Sequence, residues 1–497
     1  MPPVASALRR TILGTLPVLA AASVLAAAQL ALAAVSLTQV SADPYTNTTS
    51  FHATEVEPDT FASGSTIVAA FQVGRFEDGG ASNVGWATST DGGKTWTNGF
   101  LPAITKLATP PGPYDRDTDP SVAYDAKHGA WMISSLPLTT GGGLRGAAVV
   151  VSRSTDGGLT WGDPVTVANA GGTSDFDKNW TACDGTPTSP SYGNCYTEWD
   201  DFGHSNHLRM SVSTDGGLTW RSSTVPNSTV IGGQPVVQPN GTVVVPIDTG
   251  SESKVESFVS TNGGSSYTGP FTIAGISTHR EAGNFRSDAL PSAEVDGSGK
   301  VYVAWADCRF RTGCSANDIV LSTSTDGVTW TAPARVPIDG TTSGVDHFLP
   351  GLAVDAGTSG SSAHLTLLYH SYPNTSCSSS TCQLDVGYVA SPDGGATWTT
   401  PIQLAGPITL TWLPLTSQGY MVGDYVSTSY AGGKAHPVFM NATAGSCTLG
   451  IVTSCHEFAV TTSTGIRAGP ATLPLDHATP VPGARSDHPA TGPLTQR

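Results

Sequence analysis

Ser154-Thr155-Asp156-Gly157-Gly158-Leu159-Thr160-Trp161 decides the fold, because the chain writes it repeatedly. Near-identical octets run from Ser89 to Trp96, Ser213 to Trp220 and Ser391 to Trp398. Two altered copies run from Ser260 to Tyr267, with Asn262 in place of the acid, and from Ser324 to Trp330, one residue shorter. Each octet prescribes a tight β-turn. The Asp carboxylate can accept hydrogen bonds from the backbone N–H groups just after it, the glycines supply positive φ, and the Ser and Thr hydroxyls tie the shoulders of the turn. The closing aromatic is an anchor that buries about 150–250 Å² between strands. Carboxylates that recur at equivalent places in a repeat are scaffold, so these Asp residues are not candidates for catalysis or metal binding.

Working outward, β-rich runs flank each octet. Around Ser324 they are Ala289–Val295, Val301–Trp305, Asp318–Ser322 and Ala334–Ile338. Such a unit reads as a four-stranded antiparallel meander in which the octet joins third strand to fourth. Comparable first strands begin near Glu57, Pro120, Lys178, Gln234, Pro291, Pro350 and Asp424, which favours seven units over six. The last unit lacks an octet and a fourth strand, and Val35–Val40 is expected to supply that strand. The predicted fold is therefore all-β: a β-propeller of four-stranded antiparallel blades over residues 35–466, closed by an N-terminal strand that leaves few free sheet edges. Composition agrees, since 57 Gly, 35 Pro and only 12% charged residues disfavour long surface helices, while 38% hydrophobic residues suffice for a core.

The chain ends read differently. Arg9 and Arg10 precede a stretch of mostly Ala, Leu and Val that closes on Ala31-Leu32-Ala33, the three parts of a signal peptide over residues 1–34. Bacterial export by the Sec or twin-arginine route is expected, giving a secreted protein with no membrane span once the signal is removed. Residues 467–497 are Pro-rich and are expected to form a flexible tail. The eight cysteines fall into local couples, Cys183 with Cys195, Cys308 with Cys314, Cys377 with Cys382 and Cys447 with Cys455, which suits disulfides in an oxidising compartment. No couple has zinc-knuckle spacing, and Asp115, Asp117 and Asp119 alternate like a calcium loop without its glycine or distal Glu, so no metal or cofactor is expected. With 23 basic against 39 acidic residues, a net charge of −16, nucleic acid is disfavoured as a partner. A monomer is expected.

The octet is that of the Asp-box, or bacterial neuraminidase repeat, and from about Phe51 to Thr462 the chain resembles a secreted member of the sialidase superfamily of β-propellers. The resemblance implies a glycan or glycoconjugate ligand and, if it extends to catalysis, a glycoside hydrolase of sialidase type. Such an enzyme uses arginines on the substrate carboxylate, a Tyr nucleophile with a Glu beside it, and an Asp as acid/base. Meander topology puts the loops between second and third strands, and those between blades, on the face opposite the octets. From those loops and the strands leading into them come the candidates: Asp307, Tyr425 and Glu198 as catalytic residues, and Arg309, Arg286, Arg280, Arg311 and Arg116 as substrate-binding residues.

Blade five is similar to a sialidase's first blade in Leu290-Pro291, Asp307-Cys308-Arg309 and Asn317-Asp318-Ile319, but departs from it where Ala289 occupies the place of that family's first arginine. The Cys308-to-Cys314 loop likewise replaces the loop of the acid/base Asp. These candidates also have structural readings: Asp307 and Arg309 as an ion pair bracing the disulfide loop, Tyr425 as a buried tyrosine with a satisfied hydroxyl, Glu198 as strand packing. Two functions stay open, an exo-acting glycosidase and a non-catalytic propeller that binds carbohydrate or a cell-surface partner.

Overall fold

The octet turns form as the sequence predicts. In the second, the Ser154 hydroxyl donates to Asp156 Oδ1 at 2.7 Å, and that oxygen accepts the N–H groups of Leu159 and Thr160 at 3.1 and 3.0 Å. The Thr160 hydroxyl donates to Asp156 Oδ2 at 2.6 Å and, with the backbone bonds, holds the exposed carboxyl down at about 2. Gly158 has a φ of 80°, and a Cβ there would lie 2.7 Å from Val68 Cγ2 of the preceding blade. The Gly158 carbonyl instead accepts the Thr88 hydroxyl at 2.6 Å, so this turn also docks on its neighbour, as the turns at Gly264 and Gly327 do through Ser223 and Ser257.

The computed structural model describes Met1 and residues 35–288 and 290–481. The expected signal peptide, Met1 aside, the Ala289 position and residues 482–497 of the expected tail lie outside the described residues. Seven antiparallel sheets follow in chain order. Blade 1 runs Glu55–Ser63, Thr66–Arg75, Ala81–Ser89 and Thr97–Phe100; blade 5 runs Ser292–Val295, Val301–Asp307, Asp318–Ser324 and Ala334–Arg335. Blade 7 joins Ser427–Ala431, Lys434–Ala442 and Glu457–Thr462 to Leu37–Gln39, which pairs Leu37 with Thr462 and Gln39 with Val460. This is the closing strand expected from Val35–Val40. First strands of successive blades pack side by side, the seventh returning to the first, so they ring an axis. Buried apolar layers fill the spaces between blades, such as Val244, Val255, Val303, Trp305 and Val320 between blades 4 and 5.

All four cysteine couples are disulfide-bonded as expected. The segment after residue 466 is tethered over its described part. Leu473–Pro474 pairs with Thr397–Trp398, Asp476 bridges to Arg335, Ala478 packs on the layer between blades 4 and 5, and the Val481 N–H donates to the Arg309 carbonyl at 2.7 Å. Hydrogen-bonding edges left open beside the octets of blades 5 and 6 give this Pro-rich stretch its partners. Among the described residues no helix is long and apolar enough to cross a membrane.

Candidate functional site

The first strands are kinked where they start, on the face opposite the octets. In blades 1, 3, 4 and 6 the register shifts between Val56 and Asp59, Asp177 and Trp180, Ile231 and Gly233, and Phe348 and Gly351. The bulged residues Glu57, Lys178, Gly232 and Leu349 have φ of 55°, 46°, 58° and 49°, and Asp119, just ahead of the blade 2 strand, has 49°. A left-handed conformation at a non-glycine residue costs roughly 1–3 kcal/mol, and a bulge re-aims the side chain it carries. Here the strained positions deliver Glu57, Asp119 and Lys178 into one another's field at the axis.

Asp424, entering blade 7, is the hub. Its carboxylate accepts Arg286 Nε at 2.7 Å and Arg286 NH2 at 2.5 Å, and it also accepts the Lys178 ammonium. Burial alone would raise its pKa, but Arg286 and Lys178 outweigh burial and hold the carboxyl far below its ordinary range. Beside it, Gln72 donates to both Glu57 and Thr118, and Arg75 donates to Gln72 Oε1 at 2.8 Å. Burial, reinforced by Asp119, pushes Glu57 up to about 8, while burial and then Arg286 pull Arg75 down to about 10.

Carboxyl groups crowd the rest of this mouth. Asp177 and Asp200 face each other across blade 3, with Glu198 two residues before Asp200 on the same strand. Glu198 and Asp200 are each 1% exposed; one Glu198 oxygen accepts the Gly233 N–H at 3.2 Å, while its other oxygen and both oxygens of Asp200 have no hydrogen-bond partner. On the blade 4 side Asp248 is 0% exposed with both oxygens unpartnered, beside Glu252 and Asp288. Burial raises all of these, and like charge raises them further: Glu252 to about 8 with Asp288 adding, Asp288 to about 6 with Asp424 adding.

Two cavities lie along the axis. The upper one, about 20 Å³, is lined by Asp119, Lys178, Glu198, Gln234, Asp424 and Tyr425, among others. It has room for about one water-sized group. The lower one, about 530 Å³, is lined by residues from the first strands of all seven blades and lies toward the octet face. Trp180 and Gln234 line both, and Trp180 meets Tyr425 edge-on at 5.0 Å.

Of the sequence candidates, the structure brings Glu198, Tyr425 and Arg286 to this mouth. Arg280 stands close enough to Asp288 to lower its pKa. The Tyr425 hydroxyl donates to the Pro120 carbonyl at 3.1 Å, and burial, with Glu57 adding, keeps it protonated. Asp307 and Arg309 sit away from the axis and bind each other at 2.5 Å, with Trp305 Nε1 donating to Asp307 at 3.1 Å. Arg311 is buried on Asp318 and Asp339, together with Arg335. Those two carboxylates and His347 have ligand atoms within 4.8 Å of one another, but the two guanidiniums already neutralise them, which suits an ion-pair network rather than a metal. Arg116 pairs with Asp78 at 2.6 Å and stacks over Phe76.

In the sequence Glu57, Lys178 and Asp424 mark strand starts and Asp119 belongs to a calcium-like alternation; none of the four is among the candidate site residues. Their signal was the point at which each first strand begins, often the residue before a proline, as in Glu57-Pro58, Asp119-Pro120 and Leu349-Pro350.

No known family model matches the chain. A sialidase of Bacteroides fragilis strain YCH46 is 27% identical over 164 residues, covering 28% of this chain and only 28% of that protein. Among solved structures, the Hadza microbial sialidase Hz136 superposes with a TM-score of 0.45 at 18% identity over 64% of each chain. The phage phi92 endosialidase gives 0.47 at 12% identity over 86% of this chain and 68% of the other. The chain is a β-propeller whose seven-bladed ring rests on its own strand pairing, and part of it is similar in sequence to that sialidase.

Proposed function

We propose that this propeller is exported, recognises glycans at the axial mouth and cleaves a terminal glycosidic bond there. The observation that carries this reading is convergence: five blades bring Glu57, Asp119, Lys178, Arg286 and Asp424 together, three of them from backbone held at positive φ. Strain and buried charge gathered at one point suit a ligand site. Glu252, at about 8, is protonated at neutral pH and can give its proton to the leaving glycosidic oxygen. Asp288, at about 6, is ionised and can take a proton from the attacking water. Glu198 and Tyr425 then shape the mouth, with the tyrosine hydroxyl engaged on Pro120. The four disulfides suit an exported protein.

One observation favours binding without cleavage: Asp424 already holds Arg286 through two of its nitrogens, so that guanidinium is not open to a substrate carboxylate. A panel of fluorogenic glycosides, including sialosides, distinguishes the readings. We expect turnover that falls by roughly 10²–10⁴ in Glu252→Gln and in Asp288→Asn and changes little in Tyr425→Phe. Glycan-array binding without turnover would replace the enzyme by the binding protein; silence in both assays would refute the site.

A further inference from the structure

Single exposed aliphatic side chains are ordinary on a protein surface. Leu159, Leu218 and Val328 are of that kind, standing one to an octet in blades 2, 3 and 5. One loop departs from the pattern. Between the second and third strands of blade 7, Leu449, Ile451 and Val452 are 38%, 51% and 43% exposed. This loop lies on the face of the axial mouth, opposite the octets, as do the loops that carry the exposed Leu107 and Leu415.

The loop is built to hold those three side chains outward. A disulfide between Cys447 and Cys455 closes it. Inside, the Ser454 hydroxyl accepts the Thr448 N–H at 2.9 Å and lies 2.9 Å from the Ile451 carbonyl oxygen, while the Ile451 N–H donates to the Thr448 carbonyl at 3.2 Å and the Ser454 N–H to the Ile451 carbonyl at 3.1 Å. Gly450 fixes the tip: its N–H donates to the Ser50 carbonyl at 3.0 Å, and at its φ of 73° a Cβ would lie 2.6 Å from the Thr48 carbonyl oxygen. Backbone groups already paired lose little when water leaves, and a rigid loop loses little freedom on docking.

Size and charge select the partner. Three side-chain tips fall far short of the about 800 Å² that each partner buries in a stable protein complex, whereas an interfacial contact with lipid needs only a small apolar surface. No charged residue lies between Thr443 and Cys455, so the loop offers nothing to a charged surface. The net charge of −16 disfavours an anionic bilayer, and Lys106, next to Leu107, is paired with Asp115. We propose that the Cys447-to-Cys455 loop inserts Leu449, Ile451 and Val452 into the headgroup boundary of a bilayer of neutral, zwitterionic lipid. Joined to the reading of the axial mouth as a glycan site, on which this second step rests, the contact directs that mouth to glycans carried on a membrane.

Flotation of the full secreted chain with vesicles of phosphatidylcholine alone, which carry no sugar, tests the loop apart from the mouth. We expect the chain to partition onto these vesicles, and Ile451→Ser combined with Val452→Ser to weaken that partitioning about tenfold. Leu449→Ser, made separately, should weaken it by a smaller factor, so that a folding failure in one variant leaves the other informative. Thermal unfolding and the binding of soluble glycans should be unchanged in both. Adding phosphatidylglycerol to the vesicles should weaken the parent's partitioning. Absence of vesicle binding by the parent, equal binding by the variants, or binding that rises with the anionic lipid overturns the proposal. So does a concentration-dependent dimer, seen by sedimentation and lost in the double variant, which would assign the loop to a second copy of the chain. Vesicle binding without recognition of any glycan overturns only the step to membrane-borne glycans.

Discussion

Asp117 shows how much a single side chain can say about pH. Its carboxyl is fully buried; one oxygen accepts the Thr118 N–H at 3.1 Å, the other has no partner, and burial raises it from 3.8 to about 8. A raised acid favours the folded state below pH 4, where it is protonated in both states, and that contribution is lost as pH climbs toward 8. We therefore expect Asp117→Asn to gain stability relative to the parent as pH rises from 5 to 8, read as a flatter melting-temperature profile. A parallel pair of profiles would contradict this. The Asp307–Arg309 pair makes a different forecast. Arg309→Ala leaves a buried carboxylate without its cation, which should cost about 3 kcal/mol in thermal or denaturant unfolding while glycan binding at the axis is unchanged. At this scale the sequence was only partly legible. It placed Glu198, Tyr425 and Arg286 among the candidates, but it could not tell a loop arginine clamped by a neighbouring acid from one facing a ligand, because the partners Asp318 and Asp78 lie seven and 38 residues away.

The elements were far more legible, because local hydrogen-bond chemistry specifies the octet turn without help from distant residues. Even Asn262 keeps the pattern, its side-chain oxygen accepting the Ser266 N–H at 3.0 Å. What the turn's aromatic contributes is packing. Trp398 is fully buried and donates to the Gly395 carbonyl at 3.1 Å, so Trp398→Ala should destabilise the protein by about 3–5 kcal/mol, measured by denaturant unfolding. A loss below 1 kcal/mol would mean that the turns decorate the blades rather than hold them. The bulges that open the first strands were harder to read. Their positions coincide with the strand starts seen in the sequence, yet a bulge depends on pairing with a second strand, and nothing in Glu57-Pro58 alone states that the Glu carboxyl is turned to the axis.

For the molecule as a whole, ring closure was legible because a unit with a missing strand and a stray β-run at the other end of the chain have one economical solution. The charged mouth was not, since its members come from five blades and meet only once the ring exists. The Trp180–Tyr425 contact adds a consequence for traffic. A solute in the wide chamber on the octet side has Asp296 and Asp355 on its walls and touches the Trp180 indole, which lines the small polar space as well. A turn of that one indole therefore reshapes both spaces at once.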